Sequence, residues 1–237
     1  MGLWQDSHAA TIDPERFRAN NQYLYTAGYP HAETLAHIRG IEPWLLTLLK
    51  EDDAFGCDTQ MVNGVVCSRD LLDSSLEITF LTRVARRPNE RVIDIGAGYG
   101  RFAHRFTTAF PQSTVYCVDA VPISTLLCAK YLAYRGCDRA IVVSPDKLSE
   151  VGDLDLAVNI HSWSECTLAE VTWWLDWLAE RRVPQLFVLP HDGQRFGTYD
   201  HHVYRGEIEA RGYRLRREWT GPPCNAKCYF LFGLEGT

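Results

Sequence analysis

The hydrophobic rhythm of this chain changes at residue 91. Before it, apolar side chains recur at helical spacing; after it, short β-branched runs alternate with helical stretches. In the first part Ala32–Arg39 predicts a short helix closed by Gly40. Pro43 opens another, with Trp44, Leu45, Leu48 and Leu49 on its apolar side. Ser68 has the chemistry of an N-cap for a helix running to Arg87, with Leu72, Leu76 and Phe80 on one face. No parallel-strand signal stands out here, and residues 1–88 read as a helical cap or lid on a second unit, 89–237, not as an independent domain. Tyr23, Tyr25 and Tyr29 suit either packing at the core edge or a lid over a ligand.

From 91 onward strand and helix alternate. Val92, Ile93 and Ile95 suit a buried parallel strand, and Phe102, Phe106 and Phe110 mark a helix stopped by Pro111. Further strands are expected at Thr114–Val118, Ala140–Val143, Leu154–Ile160 and Gln185–Leu189. Helices are expected at Ile123–Tyr134 with Gly136 as C-cap, at Leu168–Arg182, and at a stretch ending near Gly212. Tyr213–Trp219 and Cys228–Leu234, joined by a turn-rich segment, complete an antiparallel hairpin. The predicted class is α/β: a parallel sheet wound with helices and extended by a C-terminal hairpin.

Composition narrows the options. A chain of 237 residues, 46% hydrophobic and 23% charged, is long enough for one soluble domain with a sizeable core. A net charge of −6 disfavours a broad grip on nucleic acid, and Arg211, Arg214, Arg216 and Arg217 read as a solvated strand edge. No run of 18 apolar residues predicts a membrane span, and the first ten residues lack a signal-peptide core, so a cytoplasmic protein is expected. Among eight cysteines, Cys117 and Cys128 lie in apolar runs, while Cys224-x3-Cys228 is half a metal site with no second pair. Reduced thiols and no bound metal are expected. Trp173 and Trp177 lie on a different helix face from Val171, Leu175 and Leu178, and suit a homodimer contact or a cover at the fold edge.

The chemistry begins where the first strand breaks into Gly96-Ala97-Gly98-Tyr99-Gly100. A dinucleotide fingerprint would need glycine at 101, where Arg101 stands. The pattern D-x-G-x-G-x-G, starting at Asp94, instead resembles motif I of the class I S-adenosylmethionine (SAM) methyltransferases. That resemblance implies a Rossmann-like seven-stranded methyltransferase sheet, SAM as cofactor and S-adenosylhomocysteine as product. Ligands of open α/β sheets bind outside the carboxyl ends of the strands, so the residues following each strand are candidates. Gly96, Ala97 and Gly98 would admit the methionine part of the cofactor. Asp119, with Ala120 beside it, offers a carboxylate to both ribose hydroxyls, or else caps the helix at Pro122. Asp146 either accepts from the adenine amino group or caps a turn.

The fourth strand leads into Asn159-Ile160-His161-Ser162-Trp163-Ser164-Glu165. This is not the N/D-P-P-Y/F motif of amino-group methyltransferases. A histidine here suits O-methylation, because imidazole of pKa ~6.5 can take the proton of a hydroxyl, with activity falling at acidic pH. A buried structural histidine is the alternative. Glu165 would orient His161 or bind a hydroxyl, or simply open the next helix. His191 and Asp192 offer a second acid/base pair after the fifth strand. Asp200-His201-His202 contains metal-ligand types but reads better as a helix start.

The stretches IDIGAGYGR, VDAVPISTLLCAKYLAYRG and NIHSWSE, with SRDLLDSSLEITFL ahead of them, resemble the bacterial sugar O-methyltransferase family over residues 62–192. They are also similar to the small methyltransferases that act on methylmannose polysaccharides. The resemblance implies Asp94, Gly96, Gly98 and Asp119 on the cofactor, and Asn159, counted with the cofactor contacts, beside His161 and Glu165 at the reacting end. It implies a sugar or oligosaccharide acceptor. The acidic pair of the magnesium-dependent sugar enzymes has no match, which leaves metal dependence open. A small phenol or carboxylate acceptor is the alternative substrate, and a non-catalytic SAM-binding regulator the alternative class.

Overall fold

The computed structural model describes residues 13–19, 28–84, 90–191, 193–225 and 227–236. Among the described residues three α-helices precede the main sheet: α1 (His31–Ile41), the single turn α2 (Leu45–Leu48) and α3 (Arg69–Val84). Helix α1 runs through Gly40 and does not stop there. Ser68 caps α3 as expected, its Oγ accepting the Leu71 N–H at 3.0 Å. Every residue of α3 from Asp70 to Leu81 is buried, so the face opposite Leu72, Leu76 and Phe80 is enclosed as well. The polar side chains on that face must therefore find partners inside the protein.

Between α2 and α3 lies a small hairpin absent from the sequence-based expectation: β1 (Gln60–Val62) and β2 (Val65–Cys67), antiparallel, with Met61 opposite Val66. Its turn is Asn63-Gly64, both with positive φ (48° and 79°), the residue pair that tight hairpins prefer. Strands of three residues are too short for an alternation signal, but the Asn-Gly turn was legible.

The main sheet contains seven strands in the order β5-β4-β3-β6-β7-β9-β8. Five are parallel: β3 (Arg91–Ile95), β4 (Thr114–Val118), β5 (Ala140–Val143), β6 (Leu156–Ile160) and β7 (Gln185–Leu189). The hairpin of β8 (Tyr213–Thr220) and β9 (Cys228–Leu234) joins antiparallel, with β9 against β7. Connections run through α4 (Arg101–Ala109), α5 (Pro122–Arg135), α6 (Leu168–Glu180) and α7 (Arg205–Ala210). The chain winds outward from β3 to β5 and then returns to β6 on the other side of β3. The order therefore reverses between β3 and β6, which opens a crevice at their carboxyl ends.

Alternation along each strand divides the core between the two faces. Val92, Val158, Phe187 and Tyr229 pack with residues of α1, α3, α4 and α5. Ile93, Ile95, Ala157 and Phe230 pack with α6 and α7. Asp94 lies between Ile93 and Ile95 in β3, so its side chain leaves on the face that α3 and α4 cover. The basic cluster lies at the edge strand β8 and its approach, where Arg211 pairs with Asp176 and Glu207, and Arg214 with Glu235. Trp174 and Trp177 pack against the second core, Arg181 covers Trp177 at 4.4 Å, and only Trp173 of the three is exposed. All eight cysteines are free thiols. Among the described residues no helix is long and apolar enough to cross a membrane.

Candidate active site

The glycine turn after β3 is built against two neighbours. The Gly96 and Ala97 N–H groups both donate to the Val118 carbonyl at the end of β4, at 2.8 and 3.1 Å. Gly96 has φ +75°, and a Cβ there would lie 2.1 Å from Ser162 Oγ. The protein's own Ser162 is thus enough to demand glycine at 96. Gly98 differs: φ is +56° and the space where a Cβ would point is open. Asp119 secures that segment, Oδ2 accepting the Gly98 N–H and Oδ1 the Val121 N–H, each at 2.9 Å. The Val121 bond anchors the chain entering α5, and the Gly98 bond ties β4 to the glycine turn. Each Asp119 oxygen keeps a further lone pair.

Asp94 is almost wholly buried, and its Oδ2 has no hydrogen-bond partner among the described residues. Burial pushes its carboxyl up to about 7; Arg101 opposes the rise, while Glu77 and Asp119 add to it. Arg101, directly after the turn, donates to Ser74 Oγ at 2.8 Å and to both Glu77 oxygens at 2.8 and 2.9 Å. Such bidentate pairing holds the guanidinium in one orientation.

The side chain of Asn159, expected among the cofactor contacts, is engaged within the protein. It is buried, its Nδ2 donates to the Ile95 carbonyl (3.0 Å) and Ser162 Oγ (2.6 Å), and its Oδ1 accepts the Trp163 N–H (3.3 Å). Ser162 Oγ donates in turn to the Ile95 carbonyl at 3.0 Å. This knot fastens the tip of β6 to the tip of β3 and fixes where the next residues project. His161 sits at that tip with φ +67° and ψ −31°, outside the comfortable regions for a side-chain-bearing residue. Its N–H donates to the Leu189 carbonyl at 2.8 Å, and its ring lies 5.5 Å, edge to face, from that of His191. Burial first, then the positive charges of Lys227 and Arg101, hold His161 well below the ordinary imidazole range, against the pull of Asp73. A base held in this way would not be switched off by mild acidification.

The polar layer facing His161 was missed from the sequence. Asp73 of α3 accepts from Tyr29 Oη (2.8 Å), Asn225 Nδ2 (3.0 Å), Lys227 Nζ (2.7 Å) and Arg69 Nε (3.2 Å). Burial works against its charge, but Lys227 and Arg69 outweigh that and hold the carboxyl far below its usual range. Tyr29 therefore belongs to this layer, while Tyr23 and Tyr25 lie outside the described residues. The advance signal was charged residues, Asp70, Asp73 and Glu77, interleaved with the apolar positions of α3.

Other sites sort quickly. Glu165 closes a 3-10 turn ahead of α6, and that helix is opened by the Thr167–Glu170 capping box, so Glu165 does not start it. Asp146 is exposed and bonded to the Ser144 side chain, in line with turn capping; Ala120 is exposed beside Asp119. Asp192 lies outside the described residues. Asp200 caps α6 from across the fold, accepting the Leu168 N–H at 3.1 Å, and does not start its own helix. Glu51, Cys57 and Asp70 bring ligand-type atoms within 4.8 Å of one another. Arg18 already binds both carboxylates at 2.9 Å, and Arg105 binds Glu51 at 2.9 Å, which fills the role of a cation.

No protein-family model and no curated protein matches the chain. Solved structures do. Magnesium protoporphyrin IX methyltransferase from Synechocystis PCC 6803, with bound S-adenosylhomocysteine, is similar with a TM-score of 0.55 at 12% identity, over 69% of this chain and 82% of that one. A SAM-dependent methyltransferase from Aquifex aeolicus gives 0.52 at 14%, over 66% and 87%. A Nostoc punctiforme protein provisionally named an O-methyltransferase gives 0.53 at 12%, over 68% of this chain and just 55% of its own length. At these identities the likeness is one of fold. The chain has the Rossmann-like fold of the SAM-dependent methyltransferases, with the expected seven strands and C-terminal hairpin.

Proposed function

We propose that this protein is a SAM-dependent O-methyltransferase whose acceptor is a hydroxyl of a sugar or oligosaccharide. The observation that carries the cofactor assignment is the D-x-G-x-G-x-G turn at the sheet reversal, which combines a buried Asp94 oxygen without a hydrogen-bond partner among the described residues with open space at Gly98. Asp94 would hold the cofactor's ammonium, Asp119 its ribose hydroxyls, and Ala97, Gly98 and Ala120 would line its path. When bound, SAM supplies a strongly activated methyl group. The sugar rests on the resemblance of the IDIGAGYGR, VDAVPIS and NIHSWSE stretches to sugar O-methyltransferases.

Two tasks remain for the protein's own residues. One is alignment of an acceptor oxygen at the β6 tip, worth an effective molarity of roughly 10⁵ M or more. The Asn159–Ser162–Ile95 knot and the Asp73 layer provide the rigid walls this requires. The other is uptake of one proton. A lowered pKa favours the accepting form of His161 but weakens it as a base, so its share belongs near the lower end of the ~10²–10⁴-fold range for general bases. Alignment therefore contributes more to the rate than proton removal does. His191 is the reserve base, reached from β7.

Calorimetry with SAM, S-adenosylhomocysteine and NAD tests the cofactor; preference for NAD would overturn the proposal. A panel of saccharides and phenols, with the transferred methyl located by NMR, tests the acceptor. Phenol turnover without saccharide turnover would remove the sugar. SAM binding with no transfer to any acceptor would point to a regulator.

A further inference from the structure

A cavity of about 330 Å³ opens beside the reacting end. That is at the lower end of small-molecule sites, which run roughly 300–1,000 Å³. Ser164, His191, Arg195, Thr198, His201 and His202 line it, and the His191 ring, 5.5 Å from that of His161, connects it to the β6 tip. Its outer wall is the loop 196–204, which holds its own shape. The Thr198 N–H donates to the His202 carbonyl (2.9 Å), the Tyr204 N–H to the Phe196 carbonyl (3.0 Å), and the His202 N–H to Thr198 Oγ1 (2.9 Å). Phe196 and Tyr204 are fully buried and root both ends of the loop in the core. His201 and His202 therefore stand at the surface on a fixed support.

Among the described residues the charge of the cavity lining is one-sided. Arg195 is its permanent cation, and among the described residues no carboxylate pairs with it. Asp200, the loop's acid, is directed to the Leu168 N–H (3.1 Å) and the Thr198 hydroxyl (2.6 Å), and only its edge comes within 3.9 Å of His202 Nε2. A guanidinium fork in a lining that also carries His191, His201 and His202 matches a cluster of anionic oxygens. A neutral saccharide would leave that fork unmatched.

We propose that the cavity is an acceptor subsite for an anionic group, phosphate or carboxylate, carried by the sugar whose hydroxyl is methylated. This rests on the methyltransferase reading, and the test has two arms so that the two can fail separately. In the first, inorganic phosphate is titrated into the full chain and the histidine ring resonances are followed, assigned with His201→Gln and His202→Gln. Saturable shifts of His191, His201 and His202, lost in Arg195→Gln and partly restored in Arg195→Lys, are expected; their absence from the unsubstituted protein overturns the subsite.

In the second arm, a hexose, its phosphate and its uronic acid compete as acceptors. The charged forms are expected to have at least a tenfold lower KM, and the better of them tells phosphate from carboxylate. Arg195→Gln should raise that KM about tenfold while the SAM dissociation constant stays the same. Equal KM for neutral and charged acceptors overturns the acceptor assignment. Failure of SAM to bind strikes the methyltransferase reading instead, and phosphate binding alone would then leave an anion site without an acceptor role.

Discussion

Asp94 gives the most quantitative test of the cofactor assignment. Its carboxyl is raised from 3.8 to about 7 in the folded protein, chiefly by burial. A cationic ammonium beside Oδ2 prefers the ionised form, so below pH 7 binding must first expel a proton. The affinity should therefore weaken by a factor 1 + 10^(7−pH), which between pH 7.5 and pH 5.5 amounts to about 25-fold, or ~1.9 kcal/mol. The range stops at 7.5 because an α-amino group itself titrates at about 7.7–8.0. His161, held well below the ordinary imidazole range by burial, should add little to the slope. Isothermal calorimetry at several pH values, in buffers of different ionisation enthalpy, would read both the affinity and the proton released. Asp94→Asn should flatten the profile and leave only what Asp119 contributes. The same carboxyl works against folding once ionised: its folded pKa lies above the unfolded one, so the penalty grows from about pH 4 to pH 7 and is complete above. Asp94→Asn should accordingly raise Tm at pH 8 and leave it unchanged at pH 4. An affinity independent of pH between 5.5 and 7.5, or an equal slope in Asp94→Asn, would refute the assignment.

The remaining predictions concern the turn and the reacting end. His161→Ala should lower kcat about 10²-fold with SAM affinity nearly unchanged, and wild-type kcat should be flat from pH 6 to 8; a wild-type acid limb near pH 6.5 would show that His161 is not held neutral. Asp119→Ala should weaken SAM binding by about 1.5–3 kcal/mol and also lower Tm, because two backbone N–H groups lose their acceptor; an unchanged dissociation constant would leave Asp119 as a turn anchor alone. Gly96→Ala should destabilise by about 3 kcal/mol, combining left-handed strain with displacement of Ser162 from the Ile95 and Asn159 bonds. In a Ser162→Gly background the same substitution should cost only about 1–2 kcal/mol, so a chemical-denaturation cycle without coupling would rule out the clash.

Much of the scaffold could be read locally. The apolar runs at 92–95, 114–118 and 154–160 (the last a strand only from Leu156), the glycine turn, the Ser68 cap and the closing hairpin are each specified within a few residues, because side-chain period and turn chemistry act over that range. The same windows missed the Asn63-Gly64 hairpin only because its strands are too short to alternate. What tertiary structure alone decided is which groups meet and in what charge state. Asp73 and Lys227 are 154 residues apart in the chain, and Asn159 is 64 from the carbonyl that claims its amide. No local pattern encodes those encounters. The residue types NIHSWSE were visible, but the assignment of Asn159 to the scaffold came from packing. So did the neutrality of His161 and the elevated Asp94, since desolvation and neighbouring charge exist only once distant segments exclude water around them.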